Sequence, residues 1–452
     1  MLKHPKNVYH QRCSTSDFLC NQANTLMSDQ QTGQNGLNAL EELNTVFPDL
    51  MTGQAIIEYA DEHLAAVATF TAMIIRVDTT GSPLSEAAVT HPDSKLLIDI
   101  ARSIDTICQP VNGIWGQLNR ITFAAYLPGT APGECEKIAG HIQDHIRQHW
   151  RQSVSIGIAT YPTIRFNKEH ILENAGKALD HATFFGPDSA VIFDAISLNI
   201  SGDKLYQNGD INAAIEEYKT ALQIDPANVN VHNSLGVCYG VLNDLDQALM
   251  EFEEGIRLAP EEVMPVYNAG LIHMLKKNKT QALEYYFRAE QMGEDIFEIK
   301  FQIGRLYLET GRPEKALAYL SRASELKSES APVCRYLGEC YLTMEQMGEA
   351  ISAYKKAVKI NPNDSDSLSA LGYLFDIQDE NIDIATMFCE KSIELSPSNG
   401  LFRYRLGRLY LKQNRPEQAI AEFRAASELG HDAGDDIRKI EENPDTPCPG
   451  IN

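Results

Sequence analysis

Small residues return at a fixed interval through the second half of this 452-residue chain. A glycine falls every 34 residues, with a last interval of 35, and an alanine follows each glycine twelve positions later, or thirteen after Gly372. A third series, mostly of bulky residues, follows each alanine by four positions. The three series are Gly202, Gly236, Gly270, Gly304, Gly338, Gly372 and Gly407; Ala214, Ala248, Ala282, Ala316, Ala350, Ala385 and Ala419; and Tyr218, Phe252, Tyr286, Leu320, Tyr354, Cys389 and Phe423. Such a period is typical of a helix–turn–helix solenoid.

The pattern has a direct packing explanation. Two antiparallel helices cross closely only where a side chain is very small, so we expect glycine on the first helix of each repeat and alanine on the second. Proline ends several of the predicted second helices, because it cannot continue a helix; examples are Pro226, Pro260, Pro362 and Pro397. The pattern resembles seven tetratricopeptide repeats over residues 196–430. The resemblance implies an all-α superhelical solenoid.

The preceding residues, 46–195, alternate between helical and strand periodicity. The predicted order is helix, strand, helix, hairpin, helix, strand, helix, strand, which indicates a mixed sheet covered by helices, an α/β sandwich. The hairpin strands, 113–117 and 120–127, place its turn near Leu118 and Asn119. Residues 1–45 predict a disordered leader with a short helix, and residues 431–452 a capping helix followed by a disordered tail.

Four segments of the N-terminal part resemble GGDEF domains, the diguanylate cyclases. They are Asp-Leu-Met-Thr-Gly at 49–53, Leu-Pro-Gly-Thr at 127–130, Val-Ser-Ile-Gly-Ile-Ala at 154–159, and the helix sequence at 175–186. They occur in the family's order over about 145 residues. The resemblance implies a nucleotide-cyclase-like α/β domain and a bacterial signalling protein.

The same resemblance implies that the cyclase chemistry is lost. The family's carboxylates hold the divalent ions that neutralise phosphate charge, yet its hairpin motif falls here on residues 119–123, where only Phe123 survives. Its Asp-x-Asp pair reads Arg76-Val-Asp78, and a cation at Arg76 opposes metal binding. The phosphate contacts of its final helix are Thr183 and Pro187 here. We therefore expect no catalytic residue, no metal, no cofactor and no enzyme activity, and a domain that serves regulation or dimerisation.

One remnant of the family pattern leaves two interpretations open. Arg102 and Asp105 match the Arg-x-x-Asp signature with which some family members bind the cyclic dinucleotide product, although they lie farther from the hairpin than in the family. The alternative is a solvated ion pair on one helix face. The first interpretation predicts a cyclic-di-GMP or nucleotide sensor coupled to the repeats. An active cyclase is the least favoured function.

The repeats predict a binding surface for a protein or peptide. Stacked repeats form a concave groove lined by the first helices, and such grooves hold extended peptides. With glycine at the eighth repeat position, the groove-facing residues are Tyr267, Asn268, Phe301, Arg305, Arg335, Tyr336, Tyr373, Tyr404, Arg405 and Arg408. Aromatic residues and arginine supply binding hot spots, and inward-facing arginines favour an acidic or carboxylate-bearing partner. Alternatively, the arginines pair with acids of neighbouring repeats. The Lys and Asn positions of the chaperone-binding carboxylate clamp are not reproduced.

Composition limits the classes of partner that we expect this chain to bind and the cellular compartment in which we expect it. A formal net charge of −23 leaves no basic surface of the kind that nucleic acid requires. No apolar run approaches the ~18 residues of a membrane span, and the first residues lack the apolar core of a signal peptide. Nine cysteines without a Cys-x-x-Cys pair indicate reduced packing residues. We therefore expect a cytoplasmic protein.

Overall fold

The computed structural model describes residues 42–78, 93–293 and 295–442. The chain divides into two compact units, Met1–Pro260 and Glu261–Asn452, with the boundary between the second and third repeats. The predicted leader, most of its short helix and the predicted tail lie outside the described residues. Residues 42–46 are helical.

The first part of unit 1 is a sheet with helices on both faces. Among the described residues, its strands are β1 (Met51–Thr52), β2 (Phe70–Val77), β3 (Ile114–Asn119), β4 (Thr122–Pro128), β5 (Val154–Tyr161) and β6 (Ala190–Ile192). Its α-helices are α1 (Gln54–Leu64), α2 (Ser94–Cys108), α3 (Pro132–His149) and α4 (Ile171–Ala182). The order agrees with the predicted succession except for β1, whose two residues are too few to show a period.

The sheet is mixed, with the strand order β1-β3-β4-β2-β5-β6. The central strand β2 pairs antiparallel with both β4 and β5, whereas β1 and β6 pair parallel with β3 and β5. Alternate residues of β2 point to opposite faces. Met73 and Ile75 pack with α2 and α3, and Ala72 and Ile74 pack with α1 and α4. Both faces are therefore covered, which explains why β2 is an almost unbroken apolar run.

The hairpin turn lies two residues later than the sequence predicts. Strand β3 continues to Asn119, which pairs with Thr122, so the turn is at Arg120 and Ile121. A bulge between Gln117 and Asn119 lengthens β3, and the Asn119 side chain accepts a hydrogen bond from the Ile121 amide at 3.1 Å. This local bond to the backbone stabilises the turn after Asn119. The alternation of apolar and polar residues in the sequence does not indicate this bulge, so it could not be used to place the turn.

Seven helix pairs follow the sheet, as the 34-residue period predicts. Their first and second helices are Ala195–Gln207 and Ile211–Ile224, Val229–Val241 and Leu245–Leu258, Val263–Leu275 and Lys279–Met292, Phe297–Glu309 and Pro313–Leu326, Ala331–Thr343 and Met347–Ile360, Ser365–Ile377 and Ile382–Leu395, and Gly400–Lys412 and Pro416–Glu428. We number these pairs repeats 1 to 7. A further helix, Gly434–Glu442, packs on repeat 7, where Ile440 contacts the cluster around Phe423.

The turn between the two helices has the same backbone conformation in every repeat. The second residue after the first helix is left-handed in every pair, at Gly209, Asn243, Lys277, Gly311, Glu345, Asp379 and Asn414. The amide that follows it bonds back to the first helix, as from Asp244 to the Tyr239 carbonyl at 2.9 Å, which ends the helix in a Schellman-type cap. In repeat 6 one residue, Glu380, stands between the left-handed Asp379 and the N-cap residue Asn381. That insertion accounts for the single interval of 35.

The periodic glycines lie where the two helices of a repeat touch. A Cβ atom added at Gly236 would lie 2.7 Å from a ring carbon of Phe252. At Gly407, the added atom would lie 2.7 Å from Phe423. Both distances are shorter than van der Waals contact, so the aromatic residue of the second helix occupies the space that the missing side chain leaves.

Polar contacts join the sheet to repeat 1 within unit 1. The Lys177 ammonium of α4 lies 2.7 Å from Glu217 of the second helix of repeat 1 and 3.1 Å from Glu173. Asp194 caps the first helix of repeat 1 by accepting a hydrogen bond from the Ser197 amide at 2.8 Å. Only two residues separate β6 from this helix. The sheet and the first repeat therefore pack as neighbours with a very short connection.

Candidate functional site

A continuous surface of unit 2 is formed by the first helices of repeats 3 to 7. We use the name first-helix surface for three positions of each first helix. They are the residues three and two positions before the periodic glycine and the residue directly after it. Aromatic and ionic contacts cross from one first helix to the next: Phe301 to Tyr336 at 5.6 Å between ring centroids, Arg335 to Asp366 at 2.7 Å, and Arg408 to Asp376 at 3.3 Å. The first helices of consecutive repeats therefore lie side by side.

The predicted groove residues differ in accessibility. Tyr267 and Asn268 are buried, with 9% and 7% of their surface exposed, and the Tyr267 ring packs against Tyr286 at 5.8 Å. The other eight are partly exposed: Phe301, Arg305, Arg335, Tyr336, Tyr373, Tyr404, Arg405 and Arg408. Two of the ten thus belong to the packing of repeat 3, and eight are accessible to a partner.

An aromatic cluster lies on the first helices of repeats 4 and 5, where Phe297 joins two residues of the first-helix surface, Phe301 and Tyr336. The rings of Phe297 and Phe301 stack with centroids 6.0 Å apart and an interplanar angle of 3°, and Phe301 meets Tyr336 edge to face. The Arg335 guanidinium lies over the Tyr336 ring at 5.2 Å. Phe297 was not predicted, although its spacing of four from Phe301 on one helix could have indicated it.

Three of the four predicted groove arginines have carboxylate partners. Arg335 and Arg408 pair with acids of repeat 6, the first with Asp364 and Asp366 and the second with Asp376. Arg305 lies 3.4 Å from Glu309 of its own helix. Pairing between neighbouring repeats, the alternative left open by the sequence, is therefore found for two of the arginines.

Arg405 is bound differently. Its guanidinium donates a hydrogen bond to the Ser369 hydroxyl at 2.8 Å and stacks over the Tyr373 ring at 4.9 Å. Within residues 42–78, 93–293 and 295–442, no carboxylate lies within ion-pair distance of it. Burial lowers the pKa of Arg405 from its ordinary value, because removal from water destabilises the cation, and the charge of nearby Asp366 opposes this effect only in part.

In unit 1, Arg102 and Asp105 do not act together. The Arg102 side chain is 63% exposed and its nearest acid is Asp99 at 3.6 Å. Asp105 instead accepts hydrogen bonds from Gln109 at 2.7 Å and from the Trp115 indole at 3.0 Å. It lines a cleft of about 770 Å³, together with aromatic residues that include Trp115, and Arg102 is not part of that lining.

Arg76 and Asp78 lie at the carboxyl end of the central strand β2, near the hairpin turn. Both Asp78 oxygens are occupied: Ser153 and Ser155 donate hydrogen bonds at 2.7 and 2.6 Å, and the Asp188 amide donates one at 2.7 Å. This carboxylate therefore connects the ends of β2 and β5 to the segment that precedes β6.

In repeat 1, a carboxyl group occupies the position directly after the periodic glycine. Asp203 directly follows Gly202, and it accepts a hydrogen bond from the Tyr218 hydroxyl at 2.7 Å. Burial raises the pKa of Asp203 to about 6, against the lowering effect of the hydrogen bonds from Tyr218 and Ser234. This residue was not predicted as a functional group, because a single Asp at a repeat position carries no distinctive spacing.

Other site classes have little support in the part of the chain that the structure describes. No group of histidine, cysteine and carboxylate side chains there could hold a metal ion. None of the helices there combines the length and the apolar character needed to span a bilayer. The six cysteines there are free and buried, and burial raises the pKa of Cys238, Cys340 and Cys389 to about 12. Buried thiols of this kind pack as small apolar groups.

Comparison with known proteins bears on the helical part of the chain. Family models described as TPR repeat and tetratricopeptide repeat match residues 202–240, 307–372 and 388–421. No curated protein matches the sequence.

The chain also resembles solved structures, two of which are described as tetratricopeptide repeat proteins. YrrB, described as a TPR protein with an unusual peptide-binding site, is 20% identical over 42% of this chain and 96% of its own, with a TM-score of 0.37. A tetratricopeptide repeat protein from Parabacteroides merdae is 17% identical over 55% of this chain and 97% of its own, with a TM-score of 0.42. Pseudomonas aeruginosa pilF is 16% identical over 46% and 95%, with a TM-score of 0.43.

The family models and the helix pairs agree in position. Each matched segment lies within the seven pairs, and each contains a periodic glycine and a left-handed turn between the two helices of a repeat. The C-terminal region of this chain is an all-helical solenoid of tetratricopeptide repeats.

Proposed function

We propose that this protein is a non-enzymatic interaction scaffold whose first-helix surface in unit 2 binds an extended segment of a partner protein. Tetratricopeptide repeats generally mediate protein–protein interactions. The observation that carries the proposal is the set of eight partly exposed aromatic and arginine side chains on adjacent first helices. These residue types contribute most of the affinity at protein interfaces.

In this proposal the sheet domain is a degenerate GGDEF-like module that regulates or dimerises the scaffold. Two features of its edge support a lost active site. The hairpin turn carries Asn119, Arg120 and Ile121 where the family has glycines and an acid. Asp78 directs its two oxygens to serine hydroxyls and a backbone amide of the same domain, which ties this carboxylate to the sheet.

The alternative function, a cyclic-dinucleotide sensor, has weaker support from the geometry. A sensor of that kind needs the arginine and the aspartate of the signature to meet one ligand. Arg102 is exposed beside Asp99, and Asp105 is held by Gln109 and Trp115. The exposed arginine and the occupied aspartate do not converge on a common site.

A peptide selection tests the proposed surface directly. A displayed library of random twelve-residue peptides would be selected on the full chain, and the enriched peptides would be titrated calorimetrically against the protein and a Phe301→Ala, Tyr336→Ala double variant. We expect at least a tenfold loss of affinity in the variant, because truncation of a hot-spot aromatic costs about 2 kcal/mol.

The control is Met387→Ala, which removes a side chain that is 54% exposed on the second helix of repeat 6. This change should leave the affinity within about twofold, since the residue lies outside the first-helix surface. Failure to enrich any peptide, or equal affinities for the wild type and the double variant, would contradict the proposed binding surface.

A further inference from the structure

The first-helix surface of repeats 6 and 7 contains an arginine, Arg405, that has no direct ion-pair partner among the described residues. The guanidinium of Arg405 is oriented by two neighbours, the Ser369 hydroxyl at 2.8 Å and the Tyr373 ring at 4.9 Å. Ser369 is fully buried and Tyr373 is partly exposed, so the arginine is anchored on one side and accessible on the other. Its hydrogen bond to Ser369 leaves further N–H donors of the guanidinium available.

The neighbouring arginines set this position apart. Arg335 and Arg408 lie on the same surface and have carboxylates of repeat 6 at 2.7 and 3.3 Å, whereas among the described residues Arg405 has none. Burial of a cation that makes no direct ion pair carries a desolvation cost that an incoming anion would reduce. A guanidinium also presents paired N–H groups that match the two oxygens of a carboxylate.

We propose that Arg405 is the position at which the first-helix surface receives a carboxylate of the bound peptide. Ser369 and Tyr373 hold the guanidinium plane for this contact, and the Phe297, Phe301 and Tyr336 cluster provides an apolar contact for the same peptide. The partner is therefore an acidic peptide that also carries an apolar or aromatic side chain. This inference rests on the proposed peptide-binding function and specifies its chemistry.

The test uses the peptides selected on the full chain. Enriched sequences should contain Asp or Glu, or should depend on a free C-terminus. For one such peptide, Arg405→Met should weaken binding by about tenfold to a hundredfold, the range expected for one charge-assisted hydrogen-bonded pair. Two altered peptides identify the source of the carboxylate: Glu→Gln exchange removes a side-chain acid, and C-terminal amidation removes the terminal one.

Arg424→Met is the control, because it removes the same charge from repeat 7 but from the second helix, outside the first-helix surface. The Arg424 side chain is 63% exposed and that of its partner Glu441 is 49% exposed, so the variant should fold and should bind the peptide within about threefold of the wild type. Arg405→Lys tests the shape requirement, and we expect it to recover only part of the affinity since an ammonium cannot make the paired contact.

The outcomes separate the two proposals. If peptides bind and lose affinity on Phe301→Ala, Tyr336→Ala, but Arg405→Met and Arg424→Met weaken binding equally, the binding surface stands and the Arg405 site is wrong. Enrichment of peptides that contain no acids and bind equally well after C-terminal amidation would also refute the Arg405 site. If no peptide binds the first-helix surface, both the function and the site are refuted.

Discussion

Substitution of Gly372 by alanine tests the packing rule that underlies the repeats. An added Cβ atom would lie 2.4 Å from Cys389 Sγ and 2.9 Å from the Ala385 carbonyl oxygen, whereas ordinary contact begins at 3.4 Å. The sulfur would have to move by about 1 Å and the backbone oxygen by about 0.5 Å. Overpacking of this kind costs about 1–3 kcal/mol, and the better helix propensity of alanine offsets about 1 kcal/mol. We expect a net loss of about 0–2 kcal/mol.

The matched control is Gly348→Ala, the same exchange at a helical glycine where the added atom meets nothing within 4 Å. This variant should gain about 0.5–1 kcal/mol, because only the propensity effect remains. Urea denaturation followed by circular dichroism would rank the variants, and native-state hydrogen exchange of residues 365–395 would localise the loss to repeat 6.

A double variant identifies the cause. Cys389→Ala removes the sulfur, so adding it to Gly372→Ala should cost less than the sum of the two single changes, with partial recovery because the Ala385 carbonyl stays in place. Equal stability of Gly372→Ala and Gly348→Ala would refute the close-approach explanation of the periodic glycine.

Two further predictions concern ionisable groups in unit 1. The pKa of Asp203 is about 6 in the folded protein and about 4 in the unfolded chain. Its contribution to the free energy of unfolding is therefore fully present below pH 4. That contribution, at most about 3 kcal/mol, is lost as the pH rises through 6. Asp203→Asn should remove this component from denaturation midpoints measured between pH 4 and 8, and an unchanged pH profile would contradict it. Lys177→Met should destabilise unit 1 by about 2–3 kcal/mol, because it leaves Glu217 partly buried without its cation. A Lys177→Met, Glu217→Met double variant should recover most of that loss in urea denaturation, whereas equal destabilisation would contradict the ion-pair explanation.

The repeat architecture could be predicted from the sequence because one constraint recurs seven times. Each helix pair needs a small residue where its two helices cross, and contacts with distant parts of the chain do not change this requirement. The glycine series is therefore visible in the amino-acid sequence. The sheet was predicted for a related reason: β2 is buried on both faces, and its apolar run reflects both cores at once.

Details that depend on neighbouring elements could not be predicted. Tyr267 occupies a groove position by count, yet its ring packs against Tyr286 and is buried. The balance of charge on the first-helix surface is likewise set in three dimensions: Arg405 and Arg408 are three residues apart on one helix, but only Arg408 reaches an acid of repeat 6. Which arginine remains unpaired follows from the side-chain directions of two helices, and spacing along one chain does not specify them.

The connection between the sheet and the repeats gives the proposed regulatory role a physical basis. Helix α4 packs on the sheet through residues such as Ala175 and Leu179, and from the same helix Lys177 reaches Glu217 of repeat 1. Since only two residues link β6 to the first repeat helix, the chain offers little slack there. A partner or ligand that displaced α4 would therefore have to break the Lys177–Glu217 pair or move repeat 1 with it. The destabilisation predicted for Lys177→Met measures how strongly that pair resists such a displacement.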